Sequence, residues 1–172
     1  DWSSDVCSSD LAPLSKILKV WQGMGYNRRA IALKKIAQKI IHDYRGALPR
    51  DPEILKTFPG IGGATAASIT AFAFNRPVVF IETNIRRVFI HFFFQHKSVI
   101  SDEILIPFIQ KTLPHNPREW YSALMDYGAM LAKTVENPNR RSVHYTKQTS
   151  FYGSRREMRG KILAYMTQHK KE

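Results

Sequence analysis

The sequence predicts an all-α fold, and three of its features carry that prediction. Apolar side chains recur at helical spacing over 14–21, at intervals of three, four and seven residues. A glycine-rich turn, Pro59–Gly62, joins two apolar helical segments within Leu55–Ala73. The apolar run Val78–Ile81 is short enough for a strand, but a single strand has no partner in a sheet. We therefore expect this run to cross the core as extended chain.

The predicted helices follow one another between Gly, Pro and capping residues. Asp51 is a predicted N-cap with Pro52 at the first helical position, and Ser101 is the predicted N-cap of a later helix. The predicted segments are 14–21, 28–44, a short helix after residue 51, the two hairpin helices, a helix from 85, 101–113, 117–133 and 154–169.

The turn between the two hairpin helices is the first candidate functional feature. So tight a turn requires residues that tolerate positive φ, and Gly60 and Gly62 are predicted to supply them. The second helix then starts with backbone N–H groups that lack a partner within the helix, and the helix dipole there favours an anion. No lysine follows in the pattern of a nucleotide-binding P-loop. We interpret the turn as a backbone clamp for one nucleic-acid phosphate; the alternative is an ordinary turn that contains glycines.

Composition points to the same class of partner. The chain has 172 residues, with 26 Lys and Arg against 14 Asp and Glu and a net charge of +12. So large a positive excess on a small protein predicts a polyanionic partner, usually a nucleic acid. The single cysteine excludes an internal disulfide and a zinc or iron–sulfur site held by cysteines of this chain. No apolar run is long enough to cross a bilayer.

Residues 1–11, DWSSDVCSSDL, differ from everything that follows them. Their back-translation matches a common sequencing adapter, so we interpret them as non-native sequence and exclude them from fold reasoning. On this interpretation Cys7 is not native, and the natural chain continues upstream, which makes this sequence a fragment. A secretion signal is the competing interpretation, but the stretch has neither a basic start nor an apolar core.

The segment Lys133–Glu172 is strongly basic. It contains ten Lys or Arg against three acidic residues, and aromatic residues lie between them: Tyr145, Phe151 and Tyr152. Such a segment suits contact with a nucleic-acid backbone, and the alternative is a solvated charged tail. The final helix favours contact because it retains an apolar stripe. The stripe consists of Met158, Ile162, Leu163 and Met166.

Four segments occur together in an order and spacing that resemble a known family. They are Trp21–Tyr26, FPGIGGATA at 58–66, FIETNIRRV at 80–88 and Ala123–Met130. Together they resemble the helix-hairpin-helix DNA glycosylases of the endonuclease III superfamily, most closely the MutY-like A/G-specific adenine glycosylases. The resemblance covers 14–132. It implies the helix-hairpin-helix glycosylase fold, here as a partial six-helix barrel at 12–100 and a C-terminal helical subdomain with a basic tail at 101–172.

The resemblance also implies a reaction, hydrolysis of the N-glycosidic bond of a base flipped out of the duplex. In these families an aspartate at the start of a helix shortly after the hairpin stabilises the cationic sugar, and Glu82 occupies the matching position. The alternative is that Glu82 is a helix N-terminal acid that interacts with the dipole. Members that cleave the backbone carry a lysine where this chain has Ala64. A methyl group is not a nucleophile, so a monofunctional hydrolase is expected.

Further expectations concern cofactors and the general acid. The family usually follows the segment matched by Ala123–Met130 with four cysteines that hold an iron–sulfur cluster, and none follows here. We expect no cofactor, no metal centre and no cluster, with the hairpin carbonyls as candidates for binding a monovalent cation. The family's general acid would lie upstream of Leu11, where the adapter sequence stands. We therefore expect this chain to bind DNA weakly and to excise little or nothing.

The expected partner is double-stranded DNA with a mismatched or damaged base, bound by a monomer that works in a bacterial-type cytoplasm at the nucleoid and not at a membrane. Tyr26 could wedge into the duplex beside the flipped base or be a core aromatic. The residues expected to contact DNA are Tyr26, Asn27, Arg28, Gly60, Ile61, Gly62, Gly63, Ala64, Thr65, Asn84 and Arg86. Arg86 and Arg87 could each contact phosphate or sit in a surface salt bridge. Adenine opposite 8-oxoguanine is the first-choice substrate; the alternatives are a thymine or uracil mismatch glycosylase and a non-catalytic DNA-binding module.

Overall fold

The computed structural model describes residues 11–147 and 149–168, which form α-helices joined by short loops. The adapter-like segment therefore lies, except for Leu11, outside the described residues. The helices are α1 Leu14–Val20, α2 Arg28–Tyr44, α3 Pro52–Lys56, α4 Gly63–Phe74, α5 Thr83–Phe93, α6 Asp102–Thr112, α7 Pro117–Thr134 and α8 Arg155–Gln168, with a 3₁₀ turn at Pro138–Arg141. Over these residues the only β-type pairing is an isolated bridge between Ile100 and Ser142. The all-α prediction is confirmed.

The described residues fall into two compact units. The first comprises 11–49, 57–60 and 149–168, and the second comprises 50–56 and 61–147. This division differs from the predicted boundary after residue 100. The reason is that α6 and α7 both pack on α5, so that residues on both sides of that boundary share one core.

The first unit is built on α2. One face of α2 is buried through Ala30, Ala37 and Ile40, and α1 packs against it. Helix α8 packs on α1, where the Gln22 side-chain amide donates a hydrogen bond to the Thr167 hydroxyl. The final predicted helix is thus present and docked, although its last predicted residue lies outside the described part.

The second unit is organised around α5. Five of the six residues at positions 85–90, all except Arg86, are buried. Helix α5 packs against α6, α7 and the 3₁₀ turn. The apolar core around α5 includes Ile85, Phe89, Ile90, Ile100, Leu105, Ile109, Tyr121, Leu124 and Leu131.

The run Val78–Ile81 is extended chain that crosses this core, as predicted. The buried Tyr121 of α7 holds it, because the Tyr121 hydroxyl donates to the Val78 carbonyl at 2.9 Å and its ring packs against Phe80 with the centroids 4.3 Å apart and an interplanar angle of 41°. Burial raises the pKa of Tyr121 to about 12, so the hydroxyl keeps its proton for this bond. The segment that leads into Glu82 is therefore anchored to a helix.

Helix α7 makes its closest approach to α5 at Gly128. A Cβ atom at this position would lie 2.4 Å from the backbone oxygen of Asn84, in the first turn of α5. No side chain fits there, which explains why glycine occupies the middle of a long helix. None of the helices in the described part of the chain is long and apolar enough to cross a membrane.

Replacing Gly128 by Ala should lower the free energy of unfolding by roughly 1–3 kcal/mol, because the added methyl group must push α7 away from α5. Gly160 is the matched control, a helical glycine of α8 with open space around the position of its Cβ. Gly160→Ala should instead stabilise by about 0.5–1 kcal/mol, since only backbone entropy changes. Urea denaturation followed by circular dichroism measures both values. Equal effects of the two changes would contradict the close packing.

Candidate functional site

The hairpin turn has the conformation expected at Gly60 and a different one at Gly62. Gly60 has φ +75°, and a Cβ there would lie 3.2 Å from the Cβ of Ala32, so both backbone and space favour glycine. Gly62 has φ −90° and ψ 174°, an extended conformation that any residue adopts. The prediction of positive φ at Gly62 is therefore wrong. Gly62 is the N-cap of α4, and its role there is to begin the helix.

The start of α4 presents unpartnered backbone donors to solvent. The first hydrogen bond of the helix runs from the Ala66 N–H to the Gly62 carbonyl, so the N–H groups of Gly63, Ala64 and Thr65 have no acceptor within the helix. All three residues are exposed, and Gly62 has no side chain to cap them. Ile61, next to them, is half-buried. This geometry suits an anion; phosphate contact by these residues stays a prediction.

An open pocket of about 250 Å³ lies beside the first turn of α4. Its lining consists of Gly63, Ala64, Val79, Phe80, Ile81, Asp102 and Ile106. The anchored segment Val78–Ile81 forms one wall of the pocket, and the chain continues from this wall directly into Glu82. The pocket is therefore bordered both by the first residues of α4, whose backbone N–H groups are free, and by the segment that immediately precedes Glu82.

Glu82 is the N-cap of α5. Its carboxylate accepts a hydrogen bond from the Asn84 backbone N–H at 2.7 Å, and the side chain is half-buried. The predicted position at a helix start is correct, and the capping alternative describes what the side chain does in this structure. A carboxylate held in this way keeps one oxygen on the helix and leaves the other for a second interaction. The catalytic role of Glu82 stays a prediction.

A buried hydrogen-bond network holds the turn that follows Glu82. The Arg87 side chain is 7% exposed, and its guanidinium donates to the Asn84 side-chain oxygen at 2.7 Å, the Gly128 carbonyl at 2.5 Å and the Asn137 side-chain oxygen at 3.1 Å. Asn139, also buried, donates from its side chain to the Thr83 carbonyl at 2.8 Å. The interpretation of Arg87 as a surface residue is wrong, because its charge is used to connect α5, α7 and the 3₁₀ turn.

Asn137 and Asn139 are two functional residues that the sequence motifs do not include. The available signal was weak: two amide side chains directly after the helix that carries Gly128. Nothing in spacing or periodicity showed that these amides return to α5. Only the folded chain brings Asn137 next to Arg87, fifty residues earlier.

Arg86 already has a partner in the protein. Its guanidinium forms a two-point ion pair with the Asp102 carboxylate, both distances being 2.7 Å, and the side chains are 14% and 22% exposed. His144 lies 3.6 Å from the second Asp102 oxygen. Phosphate contact by Arg86 would have to compete with Asp102, and that contact stays a prediction.

Tyr26, Asn27 and Arg28 lie in the first unit, at the start of α2. Tyr26 has φ +49° and is 65% exposed, with the Arg29 guanidinium 5.1 Å from its ring centroid. Tyr26 is therefore not a core aromatic in this unit, and the wedge alternative stays available. Asn27 is the N-cap position of α2 and Arg28 is exposed.

Comparisons with known proteins point to one superfamily. No protein-family model matches the chain. It is 40% identical over 77 residues to the adenine DNA glycosylase of Mycobacterium tuberculosis (strain CDC 1551 / Oshkosh), covering 45% of the chain and 25% of that protein. It is 32% identical over 123 residues to the adenine DNA glycosylase of Buchnera aphidicola subsp. Baizongia pistaciae, covering 70% of the chain and 35% of that protein. The chain thus spans about a quarter to a third of the length of these relatives.

Solved structures share the fold. A thermostable thymine-DNA glycosylase superposes with a TM-score of 0.63 at 25% identity, covering 77% of the chain and 63% of that structure. Endonuclease III in a non-covalent DNA complex superposes with a TM-score of 0.56 at 24% identity, covering 73% of the chain and 57% of that structure. The chain therefore has the helical fold of these DNA glycosylases. Along the chain, the hairpin turn is followed by the helix α5 with Glu82 at its N-cap, which is the order that the sequence motifs predicted.

The iron–sulfur cluster of many helix-hairpin-helix glycosylases does not fit this chain. Such a cluster needs four thiolates, whereas the sequence contains only Cys7, which precedes the described residues. After α7 this chain has the 3₁₀ turn Pro138–Arg141 and the amide network of Asn137 and Asn139. No group of three or more His, Cys, Asp or Glu side chains within the described ranges is arranged to hold a metal ion.

Replacing Arg87 by Met should lower the free energy of unfolding by roughly 2–4 kcal/mol, because the buried Gly128 carbonyl and the half-buried side-chain oxygens of Asn84 and Asn137 lose a charged donor. The matched control is Arg140→Met, since Arg140 forms an exposed ion pair with Glu136 and should change stability little. Chemical denaturation of both variants tests this. A loss at Arg87 no greater than at Arg140 would show that the network does not hold α5.

Proposed function

We propose that the chain is a monofunctional DNA glycosylase that hydrolyses the N-glycosidic bond of a base flipped out of a duplex containing a mismatched or damaged base. Adenine opposite 8-oxoguanine is the substrate of first choice, since several relatives are named adenine DNA glycosylases. The observation that carries the proposal is the Glu82 carboxylate, fixed at the start of α5 and directly continuous with the wall of the pocket beside α4.

The carboxylate suits the charge that develops in such a reaction. As the bond to the base breaks, the sugar becomes an oxocarbenium-like cation, and a nearby fixed anion stabilises this transition state. The Asn84 N–H holds one oxygen of Glu82, so the anion needs little reorganisation. The other oxygen can face the sugar or accept a proton from the attacking water. The bond between water and the sugar carbon forms, and the base leaves with the electron pair of the broken bond.

The backbone of the duplex would be held by the hairpin. The exposed N–H groups at the start of α4 would bind one phosphate, with Gly60 and Ile61 shaping the turn before them. Tyr26, with Asn27 and Arg28, would occupy the space left by the flipped base. Flipping costs a few kcal/mol, and an inserted aromatic side chain offsets part of that loss of stacking. The net charge of +12 favours the approach to DNA.

Two residues of the pocket limit the chemistry. Ala64 carries no nucleophile, so the enzyme would hydrolyse the bond and leave the DNA backbone intact. Asp102 is the acidic residue of the lining, and its carboxylate is paired with Arg86. Both Asp102 carboxylate oxygens accept hydrogen bonds from Arg86, so this carboxylate is not free to contact a leaving base. The excision rate of this chain should therefore be low, and we expect it to act as a monomer without a cofactor.

A thymine or uracil mismatch glycosylase is the second candidate, and a specific comparison favours it. The thymine/uracil-DNA glycosylase of Methanothermobacter thermautotrophicus is 28% identical over 158 residues, covering 85% of the chain and 68% of that protein. This alignment is longer than those with the adenine glycosylases cited above. Both candidates use the same acid and the same hairpin, and they differ in the base that the pocket accepts.

Replacing Glu82 by Gln should lower the single-turnover excision rate by at least about 100-fold. The amide keeps an acceptor for the Asn84 N–H but lacks the negative charge that stabilises the sugar. Affinity for a duplex that carries a neutral abasic-site analogue should be unchanged. The matched control is Glu53→Gln, an exposed acid of α3 paired with Lys56, which should change neither quantity.

The assay uses excess protein over duplexes that carry adenine opposite 8-oxoguanine, thymine opposite guanine or uracil opposite guanine. Preferential release of adenine supports the first candidate, and release of thymine or uracil supports the second. Because slow excision is expected, the reactions are followed for many hours beside protein-free duplexes. Binding to the abasic duplex with no release of any base above the protein-free background would contradict both candidates and would indicate a non-catalytic DNA-binding module. Unchanged excision by Glu82→Gln would show that Glu82 only caps α5.

A further inference from the structure

The start of α8 presents two neighbouring aromatic rings to solvent. Phe151 is 55% exposed and Tyr152 is 84% exposed, with ring centroids 6.1 Å apart at an interplanar angle of 76°. Exposed apolar patches rimmed by polar residues can mark interaction surfaces. The hairpin and the Glu82 site do not use these residues, which belong to the first unit.

Hydrogen bonds hold this turn in one conformation. The Ser154 hydroxyl donates to the Phe151 carbonyl at 2.6 Å and accepts from the Glu157 N–H at 3.3 Å, while the Glu157 carboxylate accepts from the Gly153 N–H at 2.7 Å. Gly153 has φ +74°, which a larger residue would rarely adopt. This is a close variant of the capping box, S-x-x-E, and it fixes the backbone that carries both rings. The backbone of the turn is therefore preorganised, so binding would cost little loop entropy.

Arginines follow the two aromatic residues along the chain, at a helix end where cations are unfavourable. Arg155 and Arg156 occupy the first turn of α8, and Arg159 follows on the next turn. The helix dipole places partial positive charge at this end, so two arginines destabilise the isolated helix and a bound anion would reverse that effect. Arg156 is held against the Thr149 carbonyl at 2.6 Å, whereas the Arg155 guanidinium has no hydrogen-bond or ion-pair partner among the described residues.

An open pocket of about 330 Å³ adjoins the same turn. Its lining consists of Gly153, Ser154, Arg155, Glu157, Met158 and Lys161. Apolar surface from Met158 and two cationic side chains thus border one concavity, next to the exposed rings. A nucleotide offers the complement, a flat apolar base and an anionic phosphate.

We propose that this aromatic–basic surface, formed by Phe151, Tyr152, Arg155, Met158 and Arg159, binds single-stranded nucleic acid. Unpaired bases stack on the two rings, and the phosphates lie against the arginines and the start of α8. Bases within a duplex are already stacked on one another, so the rings gain nothing from intact duplex. The proposal is separate from base excision and holds whether or not Glu82 is catalytic.

The test measures the affinity of the whole chain for a fluorescent oligothymidylate of about 12 nucleotides, a length within the range that one such surface covers. Tyr152→Ala should weaken binding by about 5- to 100-fold, because one stacking platform is lost. Tyr152→Phe should retain the wild-type affinity, and Tyr152→Leu should lose as much as Tyr152→Ala. Arg155→Ala should reduce the slope of log K against log salt concentration by about 0.7.

Met166→Ala is the matched control, since Met166 is an exposed apolar residue at the far end of α8 and should leave affinity unchanged. Retained affinity in Tyr152→Leu, or equal losses in Tyr152→Ala and Met166→Ala, would overturn the proposal. Tyr152-dependent binding to anionic lipid vesicles with no Tyr152 effect on the oligonucleotide would overturn it in favour of a membrane surface. A failed excision assay with intact Tyr152-dependent oligonucleotide binding would reject only the proposed function.

Discussion

The buried guanidinium of Arg87 is the contact on which the candidate active site depends. It joins the first turn of α5 to the middle of α7 and to the loop before the 3₁₀ turn, through Asn84, Gly128 and Asn137. A buried cation is stable only when its donors are satisfied, so these elements must come together for any of them to be stable. The Glu82 carboxylate caps the turn that this network fixes.

Close packing and hydrogen bonding act on the same turn. Gly128 allows α7 to approach the Asn84 backbone, and Asn139 binds the Thr83 carbonyl from the other side. Tyr121 anchors the extended segment that enters the turn. The candidate acid thus lies on a rigid part of the second unit, which suits a group that must stabilise charge without moving.

The sequence was sufficient to predict the helices and the conformation of Gly60, but not which side chains form hydrogen bonds between distant parts of the chain. The all-α class and the positive φ at Gly60 follow from helical spacing and turn chemistry. The conformation of Gly62 was mistaken because glycine permits positive φ without requiring it. The sequence could not show which of Arg86 and Arg87 is buried. Successive helix positions differ by about 100° around the axis, and only the fold shows which side chain faces the core. The roles of Asn137 and Asn139 were missed because only the folded chain brings their side chains to Arg87 and Thr83 of α5.

The most direct test of the central claim compares two duplexes that differ only in charge at the abasic position. One carries a cationic pyrrolidine in place of the sugar and the other carries neutral tetrahydrofuran, and neither requires excision. If Glu82 stabilises a sugar cation, the chain should prefer the cationic duplex by at least about tenfold, and Glu82→Gln should abolish that preference while binding tetrahydrofuran as before. Equal affinity of the unmodified chain for the two duplexes, or a preference that survives Glu82→Gln, would contradict the assignment of Glu82 as the acid that faces the sugar.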